Sequence, residues 1–563
     1  MTSGEGPVLD RRAFLSGVAS LAAVPWLAGC GRVAEVFEQD EDEQERGSWL
    51  RLCIDSPASI DPAMLVDAAG AQVALQLFDP LMRYDPATHE LACLAASSYE
   101  VSEDARTFTF HLKEGATFHT GEAVDAASFK RAWERLFTVE LAAADGADAQ
   151  PIKAPNAALL APVAGWEACC AGDATELAGV TCPDALTLQV ALDAACAEFP
   201  ARLCHPALAP VPTSAVSDAA AFARAPQGNG AFALADAREE GTPIRLVRSD
   251  GYAGDAPSLD GVKFFMESDT AAAFKRYEAG DADVCAVPVE QLESVKKSAG
   301  ESEDGYRATA EHRLLRGVGM QLQYLVCNMA SAKLGDLSLR RALSCAIDRD
   351  ALAEKTLSGA YVAAEGLLSP CLGAVDAWSV CSYDAEQAAS LLEGGYPSDE
   401  SGTRELTVAL ACAKHGVAPK IADAVVSDLA AVGVKVTIEL SERADLLERL
   451  RTGDFELAIT SWTPSVPSWD AAVAPLIAST YAGRANVSGY ADASVDGALG
   501  SARAATDEAT RQGLIAGALA VAGEALPVIP LAFAAPPVVA SERVAALELD
   551  VFGAVRAAEA TLV

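Results

Sequence analysis

Cys30 is the residue whose surroundings specify chemistry most closely. It ends the stretch Leu27-Ala28-Gly29-Cys30, after an apolar run from Ala13 to Ala28 that follows Arg11 and Arg12. Ala28 and Gly29 are small enough for a signal peptidase, and the Cys30 thiol can be alkylated to a thioether-linked diacylglycerol. Two acyl chains hold a membrane stably where one binds only marginally. The pattern predicts a signal peptide over 1–29 and a mature chain anchored through Cys30 to the outer face of the cell membrane. The apolar run falls short of the about 20 residues that a spanning helix needs.

Asp10-Arg11-Arg12-Ala13-Phe14-Leu15-Ser16 resembles the twin-arginine export motif, a route for proteins already folded; general export is the alternative. No constellation of comparable sharpness points to bond breaking. There is no GxSxG and no HExxH, and the six histidines are scattered. Carboxylates are too abundant to single out a catalytic pair. The sequence therefore argues against a secreted hydrolase, and it specifies no catalytic residue, cofactor or metal. His119, between Phe118 and the Gly121 turn, reads as a structural hydrogen-bonder. The 14 cysteines show no CxxC or Cys/His spacing for zinc. Cys327, Cys345 and Cys412 stand in apolar stretches, and the cysteines read as buried, mostly reduced thiols; one or two disulfides stay open, and the sequence assigns none.

The chain has 563 residues and a net charge of −37. At about 100–200 residues per domain, that length predicts two to four domains. The charge argues against nucleic acid, whose phosphates demand Lys and Arg. It also keeps the body off an anionic membrane surface, so lipid on Cys30 is the expected membrane contact. Glu38, Asp40, Glu41, Asp42, Glu43 and Glu45 crowd the residues after Cys30, and like charges extend a chain. Residues 30–48 read as an acidic, disordered tether.

From Trp49 the pattern is α/β. Leu50–Ile54 reads as a strand and Gln72–Leu77 as helical. Thr107–Leu112 alternates, with Phe108, Phe110 and Leu112 on one face. Asp125 is placed to cap a helix whose apolar face is Phe129, Trp133, Leu136 and Phe137. The later half is clearest. Strand 406–412, a helix with Ile421, Val425 and Leu429 on one face, strand 434–440, helix 444–451 and strand 455–461 follow in order. That β-α-β-α-β order predicts a largely parallel sheet, with Trp462 at the carboxyl end of its last strand, where ligands of open α/β sheets sit.

Four stretches carry a family resemblance. They are Ser59-Ile60-Asp61-Pro62-Ala63 with Leu77-Phe78-Asp79-Pro80-Leu81; Thr107 through Gly121, continuing to Ser128-Phe129-Lys130-Arg131-Ala132-Trp133; Asn229-Gly230-Ala231-Phe232 with Arg248 to Tyr252; and Val326-Cys327-Asn328 leading to Ala346-Ile347-Asp348-Arg349. In order and spacing the chain resembles the solute-binding proteins of ABC importers, in the oligopeptide- and dipeptide-binding class (family 5). The resemblance implies a two-lobed periplasmic-binding-protein-like fold, hinge-linked and with an extra domain. Domain I is expected over 49–85, 206–320 and 528–563, domain II over 86–205 and domain III over 321–527, with crossings near Gln321 and Pro527. Of the motif residues, Asp348 is expected to cap a helix and Arg349 to pair across the surface.

Such a trap needs no covalent step, because closure is driven by contacts that exist only when both lobes touch the ligand. The resemblance implies a monomer that takes a peptide or small solute to ABC permease subunits. In peptide-binding relatives an aspartate shortly after a tryptophan meets the ligand's amine. Here the matching stretch runs from Trp462 to Asp470, and Ser465 stands in the aspartate's place. A hydroxyl accepts a hydrogen bond from an ammonium but supplies no charge, and a buried unpaired ammonium is costly. Either Asp470 reaches in, or the ligand lacks an amine there. Trp462 and Trp469 are candidate aromatic walls. Asp67 and Ala68 match a cleft-lining region on the opposite lobe, with Asp67 a second candidate for a positive group. A solute-sensing receptor of the same fold, and nickel- or haem-type binding with His415 near the cleft, are the alternatives.

Overall fold

A computed structural model describes residues 48–563, except 142–151, 240, 374–376, 379–380, 401 and 403. The stretch expected to be a signal peptide, Cys30 and the expected acidic tether up to Gly47 lie outside the described residues. Strand β1 (Trp49–Ile54) runs parallel to Gly261–Met266 on one side and to Val284–Ala286 on the other. The full order of this seven-stranded sheet is 232–234, 244–248, 261–266, β1, 284–286, 538–540, 314–315. Segments from both ends of the body thus meet in one sheet. Arg51 of β1 is buried, and its guanidinium forks onto Asp283, with Nε 2.9 Å from Oδ2 and Nη2 2.8 Å from Oδ1. Arg543, near the chain's end, donates to the same carboxylate at 2.7 Å.

Helix α1 (Ala68–Leu77) begins four residues before the predicted Gln72, because Asp67 caps it. Strand β2 (Thr107–Leu112) alternates in burial as its sequence does, and lies inside a four-stranded antiparallel sheet with 96–101, 187–191 and 180–184. Helix α2 (Ala126–Arg135) starts in a capping box between Asp125 and Ser128 and buries Phe129 and Trp133. Its last residue, Arg135, forks onto buried Asp61 at 2.7 and 2.5 Å, tying this region to the segment after β1. His119 does what its setting predicts. Its Nδ1 accepts from Gly228 N–H (3.1 Å), so Nε2–H donates to the Gly230 carbonyl (3.0 Å). Burial holds its pKa below the usual histidine range, which keeps that neutral form.

The second lobe is built on a six-stranded sheet ordered 361–363, 528–534, 322–327, 457–462, 407–413, 435–441. Its strands are β3 (Leu322–Cys327), β4 (Thr407–Ala413), β5 (Lys435–Ser441), β6 (Leu457–Trp462) and β7 (Val528–Ala534). β4 is parallel to β5 and β6, with crossover helices Ala418–Ala431 and Arg443–Thr452 between them. β3 is antiparallel to both β6 and β7. The sheet is therefore mixed rather than largely parallel. The β-α-β pattern covers only its middle, and the other strands arrive from the crossings. Between β6 and β7 lie helices α3 (Trp469–Ile477), α4 (Ala493–Ala504) and α5 (Glu508–Ala525).

Three expectations need correction. The return crossing is not near Pro527, because residues 528–534 form β7, paired in the second lobe's sheet, and the chain joins the first sheet at Val538. The run from Val528 to Phe533 is buried throughout, as a strand flanked on both edges requires. Cys345 is not a free thiol: it is disulfide-bonded to Cys381, whereas Cys327 and Cys412 are buried and free. Arg349 does not pair across a surface. It is 7% exposed and donates to the Pro530 carbonyl (2.8 Å) and Ser344 Oγ (3.0 Å), while Asp348 caps the short helix as expected.

Candidate ligand-binding site between the lobes

β6 ends at Trp462, directly opposite Leu322 at the start of β3. The loop that follows therefore leaves the sheet beside the first crossing between lobes. Trp462 Nε1–H donates to the Ala471 carbonyl at 3.1 Å, folding the loop back onto the first turn of α3. Pro464, Val466 and Pro467 are buried, and Ser465 between them is exposed. Ser468 caps α3 by accepting from Ala471 N–H. Trp469 opens the helix with 7% of its surface exposed and donates its indole N–H to the Leu372 carbonyl at 2.7 Å.

A cavity of about 720 Å³ lies between the lobes here. Tyr84, His89 and Tyr99 bound it from the first lobe, and Pro467, Trp469 and Arg511 from the second. That volume is within the range of small-solute sites, and aromatic faces beside a few polar groups are what such sites present. Glu198 of the first lobe also reaches this wall. Its carboxylate accepts from Ser468 Oγ–H (2.8 Å), Trp469 N–H (3.2 Å) and Asp470 N–H (3.0 Å). Burial pushes the Glu198 carboxyl above its usual range, against the lowering effect of those bonds.

The candidates divide accordingly. Trp469 walls the cavity, and Asp470 stands beside it with its carboxylate on Arg503 Nε at 2.9 Å. Asp470 is thus engaged within its own lobe rather than presented to a ligand. Trp462 pins the loop, and Ser465 points away from the packed part of it into solvent. Asp67 and Ala68 are not among the cavity's walls. Both Asp67 oxygens are taken by backbone, Oδ1 by Gly70 N–H (2.6 Å) and Oδ2 by Ala58 N–H (2.8 Å), so its place is structural rather than against a positive group. The run Asp67-Ala68-Ala69-Gly70 carries the signal for this, an N-cap residue before a helix. A Cβ at Gly70 would lie 2.2 Å from the Ser59 carbonyl, so the glycine is needed for that close approach. His415 is 81% exposed beside Glu442. Among the described residues no cluster of three or more His, Cys, Asp or Glu side chains is arranged for a metal ion, and no helix is long and apolar enough to cross a membrane. Glu198, Tyr84, His89 and Arg511 carry no local motif that marks them beforehand.

Residues 91–484 match the family model described as bacterial extracellular solute-binding proteins, family 5. The chain belongs to that family. It is 26% identical over 490 residues to the probable deoxycholate-binding periplasmic protein YgiS of Escherichia coli K12, covering 84% of this chain and 86% of that one. It is also 26% identical over 469 residues to the glutathione-binding protein GsiB of Pectobacterium atrosepticum, covering 81% and 82%. Among solved structures it is similar to the periplasmic murein tripeptide binding protein MppA in its unliganded open form. That match has a TM-score of 0.76 at 23% identity, with 92% of this chain and 97% of that one covered, and it bears on the fold. As a family 5 protein, this chain is the substrate-binding component of an ABC transporter, with two lobes.

Proposed function

We propose that this protein is anchored by lipid on Cys30 and captures a peptide or peptide-like solute by hinge closure, handing it to a membrane permease. The observation that carries the reading is the position of the Trp462–Asp470 loop. It leaves β6 beside the crossing strand and contributes Trp469 to a cavity between lobes, so a solute there touches both. Contacts available only when both lobes meet the ligand are what drive closure. A relative named for glutathione, itself a tripeptide, supports the solute class. A relative named as a probable deoxycholate-binding protein makes a non-peptide solute the alternative. The test is native mass spectrometry of freshly purified protein, followed by unfolding and identification of what is released. A peptide is expected. Release of a non-peptide solute would overturn the peptide assignment while leaving solute capture intact.

Ser465 gives a second test. If that exposed position meets the ligand's amine on closure, Ser465→Asp supplies the charge that the serine lacks. Affinity for free-amine peptides should rise by about tenfold, the gain of about 1.4 kcal/mol expected of a charge-assisted hydrogen bond. Titration calorimetry with trialanine, compared with its N-acetylated form, measures this. Equal affinity for both peptides in the variant would remove Ser465 from the site.

A further inference from the structure

Ala197 and Glu198 precede Phe199, which is buried with its ring 5.3 Å from that of Phe108 in β2. The dipeptide is therefore fixed to the first lobe. Its polar groups nevertheless bond to the second. The Glu198 carboxylate takes three hydrogen bonds at the start of α3, and Ala197 N–H donates to the Arg503 carbonyl at 2.8 Å. Arg503 is the penultimate residue of α4. The acid thus meets the positive end of one helix, and the amide meets the carbonyl-rich end of the next. The Trp469 and Asp470 amides belong to the first turn of α3, where no carbonyl of their own helix can reach them. Their acceptor is supplied across the lobe boundary. Asp470, held by Arg503, stands close enough to oppose the Glu198 charge, and Arg511 of α5 favours it.

We propose that Glu198 is a lobe-coupling residue, whose carboxylate crosses from the first lobe to cap α3 of the second and so limits how freely the lobes swing about the two crossings. Nothing in its local sequence suggests this, because its partners lie 270–272 positions away. The inference rests on the hinge-closure reading but on no particular solute.

The test uses the full-length protein stripped of solute, as wild type, Glu198→Gln and Glu198→Ala. Glu134→Gln serves as control, since Glu134 accepts from Leu177 N–H wholly within the first lobe. X-ray scattering reads the separation of the lobes, and hydrogen exchange reads the Trp469 and Asp470 amides. Both Glu198 variants are expected to broaden the pair-distance distribution and to speed exchange at those two amides by about tenfold or more, the loss of charged acceptor bonds. The control should match wild type in both readouts even if its melting temperature falls. Scattering and exchange unchanged in both Glu198 variants, or shifted equally in the control, would overturn the proposal. In that case, compaction of wild type on return of its co-purified solute would show that hinge closure stands even though the coupling role falls.

Discussion

Asp283→Ala is expected to cost about 3–5 kcal/mol, because it strands a buried guanidinium. Asp283 is wholly buried and accepts from Arg51 N–H, Nε–H and Nη2–H, from Arg543 Nη1–H and from Ser541 Oγ–H. Arg51 also donates to the Gly280 carbonyl, which satisfies one donor and leaves its charge uncompensated. Urea unfolding followed by circular dichroism should show a lower midpoint with an unchanged slope. The double variant Arg51→Met, Asp283→Leu should recover part of the loss, since it removes the buried guanidinium together with its carboxylate, while partly exposed Arg543 is left to water. A single variant that unfolds at the wild-type midpoint would show that the cluster contributes no net stability.

Trp469→Ala is expected to act on stability and on binding together. Removing a large buried aromatic costs about 3–5 kcal/mol, and here it also frees the Leu372 carbonyl and removes a wall of the cavity. Trp469→Phe keeps most of the area and loses the indole N–H. It should retain most of the stability, and its affinity for the co-purified solute should fall less than that of the alanine variant. Calorimetric titration of both variants at a temperature where each is folded separates the effects. Wild-type affinity in a folded Trp469→Ala protein would place the solute elsewhere.

What the sequence discloses follows from the range of the interactions involved. β2 and α2 are set by alternation and by an Asp125–Ser128 capping box, both local, and they appear as expected. The parallel pairing of β4 with β5 and β6 follows from intervening helices. The lobe of β7 is not legible, because its apolar run states that it is buried, not against which sheet. The only disulfide among the described residues joins Cys345 to Cys381, and no spacing rule singles out that pair from fourteen cysteines. Trp462 is legible as an aromatic at a strand's carboxyl end, and Trp469, seven residues on, borders the cavity from the first turn of α3. Asp67 is ambiguous in sequence because a helix cap and a ligand contact use the same carboxylate, and here it caps α1. Glu198 acts on residues about half a chain away, and only the folded molecule brings them together.

The first lobe's sheet has a slot between 284–286 and 314–315 that the strand Val538–Ala540 fills from near the chain's end. A nascent chain that has completed its first five hundred residues still holds an unzipped sheet, with Asp283 waiting for Arg543. Completing that sheet therefore requires the chain at least as far as Arg543. A ribosome that stalls late, or a protease that trims the tail, leaves a molecule without a finished first lobe for the second to swing against.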